Sequence, residues 1–207
     1  MSQYFENDEN IKSKVRILNY NYEKYNFDFY SDNGVFSKNE VDYGSKLLIE
    51  TFIKEGRSGK VLDVGGGLGV ISIVLAKVKN CNCDMLEINE RAIELARKNI
   101  NLNGVFDKVR VIKSDAYENV CGKYNFVITN PPIRAGKKVV YTFLFEAFNH
   151  LEDDGELWFV MRKNHGALSA KKDLESQGYY CDIVKKDKGF FIMKVVKLQE
   201  FKWYSCF

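Results

Sequence analysis

A chain of 207 residues, 45% hydrophobic and 29% charged, carries enough apolar material for one substantial core, with or without a small appendage. No apolar run reaches the length of a membrane helix, and the polar, acid-containing start Met1-Ser2-Gln3-Tyr4-Phe5-Glu6 does not read as a secretory signal. A formal charge of +3 is too small to establish a nucleic-acid partner, and five cysteines without a paired framework are expected as reduced thiols of a cytoplasmic protein, with neither a disulfide scaffold nor a zinc site.

In chain order, the first thirty or so residues are rich in Asn, Tyr and Lys and are expected to form an appendage, 1–32, packed on a main domain, 33–207. Within the appendage Tyr25-Asn26-Phe27-Asp28-Phe29-Tyr30 alternates as a strand does. A helix is expected over 42–55, followed by a strand over 60–64. The segment Asp63-Val64-Gly65-Gly66-Gly67-Leu68-Gly69 then reads as a glycine-rich turn leading into a helix over 68–78, the first unit of a mononucleotide-binding fold. Val70 stands where the dinucleotide fingerprint wants a small residue, which disfavours a pyrophosphate ligand. A strand over 82–88 contains Glu87, about 20 residues past the loop, where such folds hydrogen-bond a ribose diol. A helix over 89–103, capped by Asn89 and stopped at Gly104, precedes a strand over 109–113. Asp115, just beyond that strand, is placed to accept from an adenine amino group. These residues describe a pocket for an adenosine whose other end carries an amino acid and a cation.

The next strand, 124–129, runs into Thr129-Asn130-Pro131-Pro132, which holds both prolines of the chain. A residue before proline is pushed to extended geometry, and proline has no N–H, so Asn130 sits at a strand end beside bare carbonyls. An amine there can donate one N–H to the Asn130 side-chain oxygen and the other to the Pro131 carbonyl, with its lone pair free for an electrophile. A helix over 139–151, a strand over 156–161, a helix over 166–177 and two strands near 179–185 and 189–197 complete the chain. Alternating strands and helices imply a mostly parallel sheet, and the final pair without a helix implies an antiparallel edge hairpin. Arg134, Lys137 and Lys138, with Arg162 and Lys163, fall at the carboxyl edge where open α/β sheets bind ligands. They read either as phosphate contacts or as a solvated basic surface. The aromatic tail 201–207 has no role assigned by its sequence.

These segments resemble the class I methyltransferases that use S-adenosylmethionine, and more narrowly the family that methylates the exocyclic amine of guanine in small-subunit ribosomal RNA. The resemblance is carried by Asn33-Gly34-Val35-Phe36-Ser37-Lys38 with Val41-Asp42-Tyr43-Gly44-Ser45, by the glycine loop, by Asn130-Pro131-Pro132-Ile133-Arg134-Ala135-Gly136-Lys137, and by Gly155 to Val160 and Lys186 to Phe190. It implies a Rossmann-like α/β fold with a seven-stranded sheet, S-adenosylmethionine as cofactor, no metal, and ribosomal RNA, within the small subunit, as partner. The residues it implies for the cofactor are Asp63, Gly65, Gly67, Gly69, Glu87, Ile88, Asp115, Ala116 and Asn130. Asn130, Pro131 and Pro132 are the implied catalytic turn, and Phe36, Lys38, Ile133, Arg134, Lys137, Lys138 and Arg162 the implied substrate contacts. Two positions depart from the family pattern: Gly66 replaces a frequent Cys, and Ile133 replaces a frequent aromatic, which leaves base stacking to Phe36, Tyr141 or apolar contact. The same chemistry serves adenine or a protein glutamine amide, and a catalytically silent ribosome-binding module is the remaining alternative.

Overall fold

The computed structural model describes residues 12–37 and 39–198; Lys38 and the aromatic tail 201–207 lie outside them. The chain begins with a two-stranded antiparallel hairpin, β1 (Arg16–Tyr22) and β2 (Tyr25–Ser31), paired from Arg16↔Ser31 to Tyr22↔Tyr25. β1 was not anticipated. Its alternation of Leu18, Tyr20 and Tyr22 inward against Ile17, Asn19 and Asn21 outward is regular, but the turn holds Glu23 at φ 48 rather than the Asn or Gly that announces a tight hairpin.

The rest forms α1 (Tyr43–Glu55), β3 (Lys60–Val64), α2 (Val70–Lys79), β4 (Asn82–Glu87), α3 (Glu90–Leu102), β5 (Val109–Lys113), β6 (Tyr124–Thr129), α4 (Lys137–Phe145), β7 (Leu151–Arg162), α5 (Ala167–Ser176), β8 (Tyr179–Asp187) and β9 (Phe190–Lys197). Seven strands lie in the order β5-β4-β3-β6-β7-β9-β8, with β9 antiparallel to both neighbours and the remaining pairs parallel. The expected doubly wound sheet with an antiparallel edge hairpin is therefore observed.

The expected helix over 139–151 is α4 followed by a 3-10 turn over Glu146–Asn149, and β7 begins five residues before its expected start. The polar run Glu152-Asp153-Asp154 reads as a loop in sequence. Tertiary pairing overrides that reading, because Tyr124 pairs with Leu151 and the register then shifts by a bulge before Phe126 meets Glu156.

Two apolar layers cover the sheet. On one face α1 and α2, the apolar stripe of α3 and the N-terminal hairpin share a cluster that includes Phe27, Phe29, Leu48, Phe52, Ile73, Val74, Leu95 and Trp158. On the other, α4 and α5 pack Val140, Phe143, Leu144, Ala170 and Leu174 against Leu62, Val127, Leu157 and Phe159. The hairpin is also held by polar contacts. The Asn99 amide accepts from the Tyr30 N–H at 2.7 Å and donates to the Tyr30 carbonyl at 3.1 Å, as a neighbouring strand would. Its nitrogen also reaches the Leu68 carbonyl in the glycine loop at 3.0 Å.

Helix α1 is fastened to the sheet by Phe52, which is fully buried and meets Phe126 and Trp158 edge-on, with ring centroids 5.0 and 5.3 Å away. Truncating it leaves a cavity between two rigid rings. Phe52→Ala is expected to lower the unfolding free energy by about 3–5 kcal/mol, read from urea denaturation; a loss below about 1 kcal/mol would show that the ring does not fasten α1.

Candidate active site

β3 and β6 are adjacent, but the helices that follow them, α2 and α4, cover opposite faces. Their carboxyl ends therefore part into a crevice, the place where open α/β sheets take ligands. The Thr129 hydroxyl donates to the Val64 carbonyl at 2.8 Å and joins the two strand ends at the base of the crevice.

The glycine loop lines one wall. Gly65 and Gly66 both donate to the Leu86 carbonyl, at 3.0 and 2.9 Å, so the loop folds across the end of β4. Gly65 and Gly67 have φ of 73° and 57°, a region that side chains disfavour. A Cβ at Gly67 would meet open space, whereas one at Gly66 would fall 2.4 Å from Met85 Cγ. The room a Cys would need at position 66 is thus filled by Met85.

Two buried carboxylates stand behind this loop. Glu87 accepts from the backbone N–H groups of Gly67, Ile88 and Asn89, each at 2.9 Å. Burial raises its pKa, and those three donors oppose the rise. Asp63 is fully buried at the end of β3, where Oδ2 accepts from the Ser72 hydroxyl at 2.7 Å and from the Ser72 N–H at 3.2 Å, in the first turn of α2. Burial, opposed by Ser72 and reinforced by the negative charge of Glu87, pushes the Asp63 carboxyl up to about 7. Among the described residues, Asp63 Oδ1 is the buried side-chain polar atom left without a hydrogen-bond partner. A buried acceptor of this kind costs free energy unless a donor arrives. Beyond β5, Asp115 and Ala116 lie on a turn in which the Ser114 N–H donates to the Glu87 carbonyl and the Ser114 hydroxyl to the Ala116 carbonyl. Glu87, Ile88, Asp115 and Ala116 are thereby brought to one side of the glycine loop.

The opposite wall is the Asn-Pro-Pro turn. Asn130 is half-buried, and its side-chain nitrogen donates to Asp42 Oδ2 at 3.0 Å and to the Ser45 hydroxyl at 2.9 Å. Two acceptors at this atom fix the amide orientation, so that Oδ1 is the atom left for a further donor. The Pro132 carbonyl is used by the Ala135 N–H at 2.9 Å, while the Pro131 carbonyl takes no described hydrogen bond. Asn130 Oδ1 and the Pro131 carbonyl oxygen, one residue apart, thus both lack a described hydrogen bond. Asp42 also caps α1 by accepting from the Ser45 N–H at 3.0 Å. The roles of Asp42 and Ser45 were missed in sequence, where the available signal, an Asp three residues before Ser, marks only a helix start.

The remaining substrate-side residues divide. Ile133 borders a cavity of about 280 Å³ together with Tyr141, Met161, His165 and Ser169. Lys137 lies over the Tyr141 ring at 4.6 Å, and both reach Asp173, the lysine at 3.6 Å and the tyrosine through its hydroxyl. Arg134 and Lys138 are exposed on the same rim. Phe36 is 68% exposed on a loop that Arg91 anchors through the Asn33 carbonyl at 2.7 Å, beside the start of α3. Arg162 stacks on Phe190 at the end of β7. No group of His, Cys, Asp and Glu that could hold a metal occurs among the described residues, and no helix there is long and apolar enough to cross a membrane.

The model of the methyltransferase small domain matches residues 26–194. The chain is 41% identical over 198 residues to the uncharacterized protein YbxB of Bacillus subtilis, covering 94% of this chain and 98% of that one. It is 33% identical over 169 residues to ribosomal RNA small subunit methyltransferase C of Vibrio cholerae, covering 79% of this chain but only 48% of the relative. Among solved structures, a T. thermophilus 16S rRNA N2 methyltransferase in complex with AdoMet and guanosine superposes with a TM-score of 0.78 at 21% identity, over 91% of this chain and 52% of that one. A ribosomal protein L11 methylase from Lactobacillus delbrueckii superposes with a TM-score of 0.66 at 16% identity, over 78% of this chain and 86% of that one, and at such identities the likeness is one of fold. This chain spans about half the length of the ribosomal RNA methyltransferases it matches, and almost the whole of YbxB. A family match across most of the chain, on a sheet whose crevice joins a glycine loop to an Asn-Pro-Pro turn, places the protein in the methyltransferase small domain family.

Proposed function

We propose that the protein transfers a methyl group from S-adenosylmethionine to the exocyclic N2 amine of a guanine in small-subunit ribosomal RNA. The observation that carries the reading is the anchoring of Asn130 by Asp42 and Ser45, which leaves one side-chain oxygen beside the bare Pro131 carbonyl to receive an amine. The names of the relatives support the RNA substrate and the guanine base. The crevice fits the cofactor: Gly67 leaves its wall open, Glu87 is fixed beside it for a ribose diol, and Asp63 Oδ1 lacks a donor that an ammonium or its water can supply. Asp63, Gly65, Gly67, Gly69, Glu87, Ile88, Asp115 and Ala116 would hold it, with Asn130 at the methyl end.

When bound, S-adenosylmethionine supplies an electrophilic methyl carbon on a sulfonium. Asn130 Oδ1 and the Pro131 carbonyl accept the two N–H groups of the guanine amine and turn its lone pair toward the crevice. Holding the nitrogen in line can supply on the order of 7–11 kcal/mol by removing orientational entropy. As the nitrogen becomes positive, both oxygens stabilise it, and the carboxylate of Asp42 polarises the Asn130 amide from behind. The N–C bond would form as the carbon–sulfur bond breaks, and the nitrogen proton, acidic only from that point, would pass to water, so no strong base is needed beforehand. A paired base cannot reach this turn, and flipping it out costs a few kcal/mol.

Asn130→Ala is expected to lower kcat by about 10²-fold or more, and Asp42→Asn, which keeps the helix cap but removes the charge, by less. Both should change turnover much more than the cofactor dissociation constant, which calorimetry reads. Turnover equal to wild type in Asn130→Ala would remove the turn from the chemistry.

The raised pKa of Asp63 makes a second prediction. The folded chain keeps its proton up to about pH 7, whereas the unfolded chain releases it near the ordinary Asp value of about 3.9. The folded state binds more protons in that window, so its stability falls as pH rises from about 4 to 7 and levels off above. Asp63→Asn should remove this fall while weakening cofactor binding. Parallel melting profiles of the two proteins from pH 5 to 8 would contradict it.

The substrate itself is tested by methyl transfer from labelled S-adenosylmethionine to unmodified small ribosomal subunits, followed by nuclease digestion and nucleoside chromatography. Label in N2-methylguanosine is expected. Label in methyladenosine or in protein would keep the enzyme class and overturn the substrate, and bound cofactor without any transfer would indicate a silent module.

A further inference from the structure

The tip of the β8–β9 hairpin is a second feature of the carboxyl edge, and the reaction above does not use it. Because β9 runs antiparallel to β7, with Arg162↔Phe190 in register, the hairpin turn emerges beside the end of β7. The Lys163 N–H donates to the Gly189 carbonyl at 2.9 Å and fixes the two together. Lys188 and Gly189 occupy the turn at φ 43° and 78°, the tight two-residue geometry that keeps the hairpin short.

Five exposed cations lie on or beside the tip, spread over both faces of the hairpin: Lys185, Lys186 and Lys188 on the hairpin and Arg162 and Lys163 at the end of β7. Three of them are seated on aromatic faces. Arg162 lies 4.4 Å from the Phe190 ring centre, Lys188 4.6 Å from Tyr43, and Lys186 5.4 Å from Phe191. Such seating holds a charge in place. The acid at the tip, Asp187, accepts from the Tyr43 hydroxyl at 2.6 Å and interacts with Lys188 and Lys185, so one carboxylate stands against the five cations. The patch is also continuous with the Asn130 anchor. Tyr43 follows Asp42 directly and packs on Phe190 with ring centroids 5.6 Å apart, and a Cβ at Gly44 would fall 3.0 Å from both Phe190 and the Asp42 carboxylate.

We infer that this hairpin tip, with Arg162 and Lys163, is a docking surface for the backbone phosphates of single-stranded RNA flanking the base that Asn130 receives. The inference rests on the proposed function for the nature of the strand. Fixed exposed cations beside a site that demands an unpaired base suit a flexible polyanion, whose flanking nucleotides must leave the crevice over one of its rims.

The test replaces Lys185 and Lys186 by Gln and Lys188 by Asn, a residue that tolerates positive φ. Binding of a fluorescent single-stranded oligoribonucleotide is then measured against salt. At about 0.7 per phosphate contact, loss of three contacts should lower the slope of log K on log [salt] by roughly 2, with the melting temperature and the cofactor dissociation constant unchanged. Neutralising the exposed Arg97 and Lys98 on α3 should leave the slope alone, and arginine at 185 and 186 should preserve it. An unchanged slope in a folded triple variant overturns the inference, as does a wild-type protein that binds polyglutamate through these lysines but no RNA. Because RNA binding is read without turnover, a protein that binds RNA through the tip yet methylates none would count against the proposed reaction and not against the surface.

Discussion

The site depends on one topological fact: β3 and β6 are neighbours whose following helices must cover opposite faces of the sheet. Two chains leaving adjacent strand ends in opposite directions cannot close over the gap between them, so a crevice is built into the fold before any ligand is considered. The glycine loop and the Asn-Pro-Pro turn are its two walls. The hydrogen bond from Thr129 to the Val64 carbonyl sets their separation at the base.

The crevice is costly to maintain. Asp63 and Glu87 are both buried, each raises the pKa of its carboxyl through desolvation, and the charge of Glu87 adds to the shift at Asp63. Glu87 is compensated by three backbone donors, but Asp63 is compensated on one oxygen only. An orphaned buried oxygen of this kind is a standing cost to the free protein.

Helix α1 joins the second wall to the rest of the molecule. Its body is locked to the sheet by Phe52 between Phe126 and Trp158, its cap Asp42 holds the Asn130 amide, and its first residue, Tyr43, meets the hairpin tip. One rigid element thus positions the proposed amine acceptor and the edge of the proposed RNA surface. On the other wall, Asn99 plays a comparable part by tying the N-terminal hairpin to the Leu68 carbonyl of the glycine loop.

Much of this was legible in sequence. The alternation of strands and helices, the glycine loop after Lys60-Val61-Leu62 and the paired prolines after Tyr124 to Thr129 are local signals, because glycine and proline act on their own backbone and apolar period follows from each element's own geometry. The missed features depend on partners distant in the chain. β1 exists because β2 offers it a partner, the start of β7 exists because Tyr124 offers a partner to Leu151, and Asp42 matters because residue 130 folds back onto it across 88 positions. Local residue pattern was enough for the fold class, the glycine loop, the Asn-Pro-Pro turn and the residue types they carry. Which atom of Asn130 is free, which oxygen of Asp63 is orphaned and which cations border the hairpin tip emerge only on folding, because each is settled by neighbours that the linear order keeps apart.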